Sequence, residues 1–182
     1  MMLPANPLDT LGARVTEIRD TFLASARAGV ICAREFDRLS DDIADRMATP
    51  PPDLDAPPAD VRRAPGRCIV QLGPVGLTVS WVRARVDTVA NGRLMIIEWL
   101  GVVARGAHRL PERNATSVAA MTAKVLREEI LLAEATSEHD WMWKRETPSG
   151  ANLHSTELAQ HCVSALRETL ASEKRKTNSE QR

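Results

Sequence analysis

The chain has no tyrosine, and only two phenylalanines and four tryptophans among 182 residues. So sparse an aromatic set leaves little material for an extended base-stacking surface, and it makes the position of each tryptophan informative. Cysteine is scarce too: Cys32, Cys68 and Cys162 lie far apart. An odd, scattered set does not read as a disulfide framework, so a reducing, cytoplasmic location is expected. The N-terminal MMLPANPLDTLGARV lacks a basic segment followed by an apolar run, and no signal peptide is expected. The longest apolar stretch, Leu94 to Ala104, is interrupted by Glu98 and is too short to cross a bilayer.

Catalytic and ligand motifs are missing as well. The four histidines, His108, His139, His154 and His161, form no H-x-x-x-H or C-x-x-C pattern, so no metal site is expected. His154 and His161 would stand about 10 Å apart along a helix, too far to share an ion. There is no G-x-S-x-G elbow, no Walker loop and no G-x-G-x-x-G, so neither catalytic residues nor a cofactor is expected. Cys68 and Cys162 read as small core residues, and His139-Asp140 as polar turn chemistry.

Net charge is zero, but it is unevenly placed. Residues 1–60 carry 11 acidic and 6 basic residues, residues 61–113 carry 3 and 9, and residues 114–182 carry 10 and 9. All nine basic residues of the middle block are arginines. An acidic arm facing a basic sheet accounts for this, and so does an anion-binding sheet.

The spacing predicts helix over 9–47. Leu11, Val15, Ile18 and Phe22 recur at 4-3-4 spacing, and Phe36, Leu39, Ile43 and Met47 at 3-4-4. The stripe is narrow and heptad-like, which makes it the candidate interaction face of an N-terminal arm. It thins at SARAG, 25–29, so the arm is either one long helix or a hairpin turning near Gly29. Prolines dominate 49–66, which reads as a stiff linker. From Arg67, CIVQL and LTVSWVRARV read as strands around Pro74 and Gly76. Asn91-Gly92 then suggests a two-residue hairpin. That register sets Arg85 opposite Glu98. It places Val82, Ala84, Val86, Met95, Ile97 and Trp99 on a covered face, with Trp81, Arg83, Arg85 and Glu98 on a mixed one. Residues 117–129 have helix-forming composition. ILLAEAT and HDWMWKRE read as strands, with Trp143 expected in the core and Trp141 nearer a polar rim. A last helix carries the stripe Leu158, Cys162, Leu166 and Leu170, followed by a tail, 172–182, expected to be disordered.

These elements predict an α+β fold. An antiparallel sheet of about five strands is packed by the C-terminal helix, with 117–127 beside it, in a domain spanning 67–171. The helical arm, 1–48, either folds back on the sheet's mixed face or pairs with a second chain. The order α-β-β-β-α-β-β-α is similar to that of type III secretion chaperones, small dimers that wrap an extended partner. The leading functional expectation is a non-enzymatic interaction module: a cytoplasmic adaptor or chaperone-like protein that binds a protein partner and self-associates through its arm as a homodimer. The alternative is an anion or nucleic-acid binder using Trp81, Arg83 and Arg85 with Trp141. Third comes an enzyme whose site assembles only in the fold. No membrane association is expected.

Overall fold

The computed structural model describes residues 7–49, 58–83, 88–101, 123–146 and 150–180. Two helices open the chain, α1 Pro7–Leu23 and α2 Ala26–Ala48. The break falls at Ser25, not at Gly29. The Ser25 hydroxyl donates to the Phe22 carbonyl at the end of α1 and accepts from the Ala28 amide at the start of α2, at 2.7 and 3.2 Å. One side chain thus closes one helix and caps the next. Gly29 sits inside α2 with open space around it.

Seven strands follow: β1 Asp60–Ala64, β2 Arg67–Leu72, β3 Val75–Val82, β4 Arg93–Leu100, β5 Lys124–Glu134, β6 Met142–Arg145 and β7 Asn152–Leu153. They form one antiparallel sheet in sequence order. Helix α3, Ser155–Glu180, closes the chain. It lies beside α2 on one face of the sheet. Alternation along each strand sets that face: Cys68, Val70 and Leu72 on β2, Leu77 and Val79 on β3, Leu94 and Ile96 on β4, and Leu131 on β5 are all buried. Ile31, Phe36, Leu39, Ile43 and Met47 of α2 meet them, together with Leu158, Cys162, Leu166 and Leu170 of α3. Arg167 of α3 donates to the carbonyls of Arg46 and Thr49, satisfying the C-terminal end of α2. No described helix is long and apolar enough to cross a membrane.

The first correction concerns which face is covered. Strand β3 pairs with β4 so that Leu77 opposes Glu98 and Val82 opposes Arg93. Asn91-Gly92 is therefore not a two-residue hairpin. It ends a single 3-10 turn, Val89–Asn91, and Gly92 has φ −80°. Among the described residues the expected groupings of side chains on β3 and β4 hold, but the covered and open sides are exchanged; Ala84, Arg85 and Val86 lie outside the described residues. Trp81, Leu94, Ile96 and Glu98 point toward the helices, whereas Met95 and Ile97 lie half-buried on the other side with Thr78 and Ser80.

Gly92 is required for a different reason. A Cβ there would lie 2.2 Å from the Trp81 ring. On the opposite face Trp99 lies across Gly76, where a Cβ would come within 2.1 Å of the indole, and its Nε1 donates to Thr78 Oγ1 at 3.1 Å. Each of Gly76→Ala and Gly92→Ala should therefore displace a tryptophan. A loss of about 1–3 kcal/mol in a denaturant melt is expected for each, as for other overpacked sites. Unchanged midpoints would refute the close fit.

Three further expectations are corrected. Strand β1 occupies part of the stretch expected as linker. No proline falls within DVRRA, and as an edge strand it needs only one paired side. Residues 50–57 lie outside the described residues. Lys124–Glu129 is strand, because pairing with β4 overrides helix propensity there; the remainder of the expected helix, 117–122, lies outside the described residues. Helix α3 continues through the tail to Glu180, supported by a Lys176–Glu173 ion pair at 2.6 Å. The described order is thus two helices, seven strands and a helix.

Candidate functional site

The structure scatters the expected arginine platform. Trp81 is half-buried, with its ring centroid 5.6 Å from that of Trp143. Trp141 packs edge-on with the same ring at 5.8 Å and is 4% exposed. The rim position expected for Trp141 is therefore wrong: β6 pairs with Ala133 opposite Trp143, one residue away from the register read in sequence. Three of the four tryptophans form one internal cluster, and the ring that was to stack on a base is used in packing. Arg83 is exposed at the end of β3 and acts on the Cys32 thiol of α2. Arg85 lies outside the described residues.

The arm divides into two parts with different fates. Phe36, Leu39, Ile43 and Met47 point inward and belong to the chain's own core, so they are not an outer interaction face. Phe22 is half-buried against the same core. Leu11, Val15 and Ile18 of α1 are 62%, 51% and 55% exposed. Helix α1 is held near the sheet at its C-terminal end, where Arg19 reaches Glu134 at 3.4 Å. Between the acidic arm and the basic sheet, Asp41 of α2 pairs with Arg63 of β1 at the surface.

Sequence reasoning missed a polar cluster on the helix-side face of the sheet. Glu129 of β5 accepts from Arg127 at 2.6 Å and, more closely, from Arg145 of β6. Both guanidiniums also donate to Nε2 of His161 on α3, at 2.9 and 3.0 Å. An Nε2 that accepts twice carries no proton, so His161 is neutral with its hydrogen on Nδ1. Burial lowers its pKa, the charges of Arg127 and Arg145 lower it further, and Glu129 only partly opposes them. Burial alone would push the Glu129 carboxyl up, but hydrogen bonds from Arg145 and Arg127 outweigh it and hold the group below its usual range. Glu98, 6% exposed, leaves Oε1 without a partner among the described residues, and a cavity of about 10 Å³ beside it, near one water in size, is shared with Arg127 and His161. The cluster ties β5 and β6 to α3. Both of its arginines are engaged by an internal carboxylate and an imidazole, which makes it a clamp within the fold.

The three cysteines sit as buried thiols. Burial pushes Cys32 and Cys162 up to about 12 and Cys68 up to about 11, leaving little thiolate at neutral pH. Asp140 closes the turn before β6, accepting from the Ser137 amide at 2.7 Å and from Thr136. Among the described residues no group of three or more His, Cys, Asp or Glu side chains is arranged to hold a metal ion. Among the described residues, the apolar stripe of α1 is one surface feature that the fold leaves without a role. No protein-family model, curated protein or solved structure matches the chain.

Proposed function

We propose that the chain is a non-enzymatic protein-interaction module, a cytoplasmic adaptor or chaperone-like protein that self-associates through α1. The exposed stripe Leu11, Val15 and Ile18 carries this reading. Three large aliphatic side chains on one helix face lose hydrophobic free energy in water, and that loss is recovered when a second surface covers them.

A second copy of the same helix fits the stripe. With Leu11 and Ile18 at d positions, and Val15 and Phe22 at a positions, the flanking charges choose the direction of pairing. Parallel helices would set Arg14 of each copy beside Arg19 of the other, a like-charge contact made twice. Antiparallel helices related by a twofold axis set Val15 against Ile18 and Leu11 against Phe22. Arg14 then lies beside Thr21, and Arg19 beside Gly12, with no repulsion.

Light scattering on the full chain tests the reading. The wild type should have the mass of a dimer, and Val15→Glu with Ile18→Glu should halve it without unfolding the protomer, because both residues are exposed. A wild-type monomer at micromolar concentration, or a double variant that stays dimeric, would overturn the proposal.

A further inference from the structure

A separate cleft of about 360 Å³ lies at the N-terminus of α3, between that helix, α2 and the connection from β5 to β6. Its size is that of a small-molecule site rather than of a packing defect. His154 is the N-cap of α3. Its backbone amide donates to Glu157 Oε2 at 3.0 Å, and its carbonyl accepts from the Leu158 amide at 2.9 Å. The amides of Ser155, Thr156 and Glu157 therefore belong to the first turn, before the intrahelical ladder begins. Among the described residues no acceptor meets them. The His154 ring does not serve as their cap, since its Nδ1 donates to the Trp141 carbonyl at 3.2 Å.

An independent observation marks the same place. Trp141 lines the cleft, is 4% exposed, and its indole N–H has no acceptor among the described residues. A buried N–H donor without a partner is an unfavourable state that an incoming oxygen relieves. The cleft also holds two carboxylates, and both are already engaged. Glu35 accepts from Ser155 Oγ at 3.0 Å and stands 3.9 Å from Arg34 Nε. Glu138 is paired with Arg27 and lies 3.3 Å from His139. One cation of the cleft stays free of a carboxylate: the guanidinium of Arg38, exposed and without a partner among the described residues, beside the N-terminus of a 26-residue helix whose first turn already holds Glu157.

The geometry points to an oxyanion-binding site that takes the phosphate or carboxylate group of a small organic ligand, with Arg38, the first turn of α3 and the indole N–H of Trp141 as donors. The site is independent of the self-association proposed for α1.

Indole N–H resonances of the full-length protein, followed by NMR during separate titrations with inorganic phosphate and with acetate, test it. Four such resonances are expected from Trp81, Trp99, Trp141 and Trp143, and loss of one in Trp141→Phe assigns it. The Trp141 resonance should shift saturably with at least one of the two anions, and whichever saturates fixes the class. Arg38→Glu, at an exposed position, should weaken that binding about tenfold, the equivalent of about 1.4 kcal/mol. No saturable shift with either anion, or an affinity unchanged in Arg38→Glu, would overturn the assignment.

Discussion

Trp143→Ala is expected to cost about 3–5 kcal/mol, the range for removing a large aromatic side chain from a packed core. Trp143 is fully buried, and its ring contacts those of both Trp81 and Trp141. Its Nε1 donates to Ser155 Oγ at 3.1 Å, and Ser155 in turn donates to the buried carboxylate of Glu35 at 3.0 Å. Truncation therefore empties a cavity and also removes one end of a hydrogen-bonded chain that joins β6, α3 and α2. For a chain of this size the loss corresponds to a fall of about 6–20 °C in melting temperature. Trp143→Phe keeps most of the volume and removes only the N–H, so its cost should be nearer 1–2 kcal/mol. Calorimetry on the two variants separates packing from polar connection. Equal losses would mean that the Trp143–Ser155–Glu35 chain carries the stability, and a negligible loss in both would contradict the burial described.

Glu129→Gln is expected to destabilise the fold by about 2 kcal/mol. A fully buried ion pair broken on one side costs about 3–5 kcal/mol. Here Arg127 and Arg145 are 43% and 29% exposed, so water takes up part of the loss. The same cluster sets an acid limit. His161 is held below its ordinary value of 6.5. Its contribution is complete above that value and is lost as pH falls through the lower folded value, because the unfolded chain takes up the proton first. Glu129 is held below its ordinary 4.5 and acts in the same direction over a lower window. Urea midpoints should therefore drop below about pH 6.5, and again below about pH 4.5. His161→Gln should flatten the upper part of this profile and leave the lower part. A midpoint that rises on acidification, or a His161→Gln profile that matches the wild type, would show that the imidazole does not accept from the two guanidiniums.

The last helix was legible because Leu158, Cys162, Leu166 and Leu170 repeat at helical spacing, and one face of such a helix must be buried. The antiparallel sheet was legible from the turn residues between apolar runs, although seven strands exceed the number expected. The covered side of the sheet was misread for a local reason. Asn91-Gly92 outweighed a quieter signal on β3, where Leu77 and Val79 alternate with Thr78 and Ser80. That alternation alone names the buried face. The glycine is there for the Trp81 ring, a contact that no local pattern reveals. The cluster around Glu129 was hidden because Arg127 was read as helical. Only the pairing of β5 with β6 brings Arg145 beside Glu129, and only the docking of α3 adds His161. The apolar spacings of α1 and α2 are alike, 4-3-4 against 3-4-4, and the clue to the covered stripe was only that α2 is the more strongly amphipathic of the two. Tertiary packing separates Phe36 from Val15.

The sheet pairs every strand with its neighbour in sequence, whereas α2 finds its main helical partner in α3, more than a hundred residues later. Each hairpin can close as soon as its second strand is available, at small loop-closure cost. The layer above the sheet cannot. Phe36, Leu39 and Ile43 can meet Val70, Leu77 and Leu94 as soon as the sheet forms, but their flank stays open until Ser155–Glu180 docks beside them. Apolar surface left open in that order of assembly is the condition in which aggregation competes with folding.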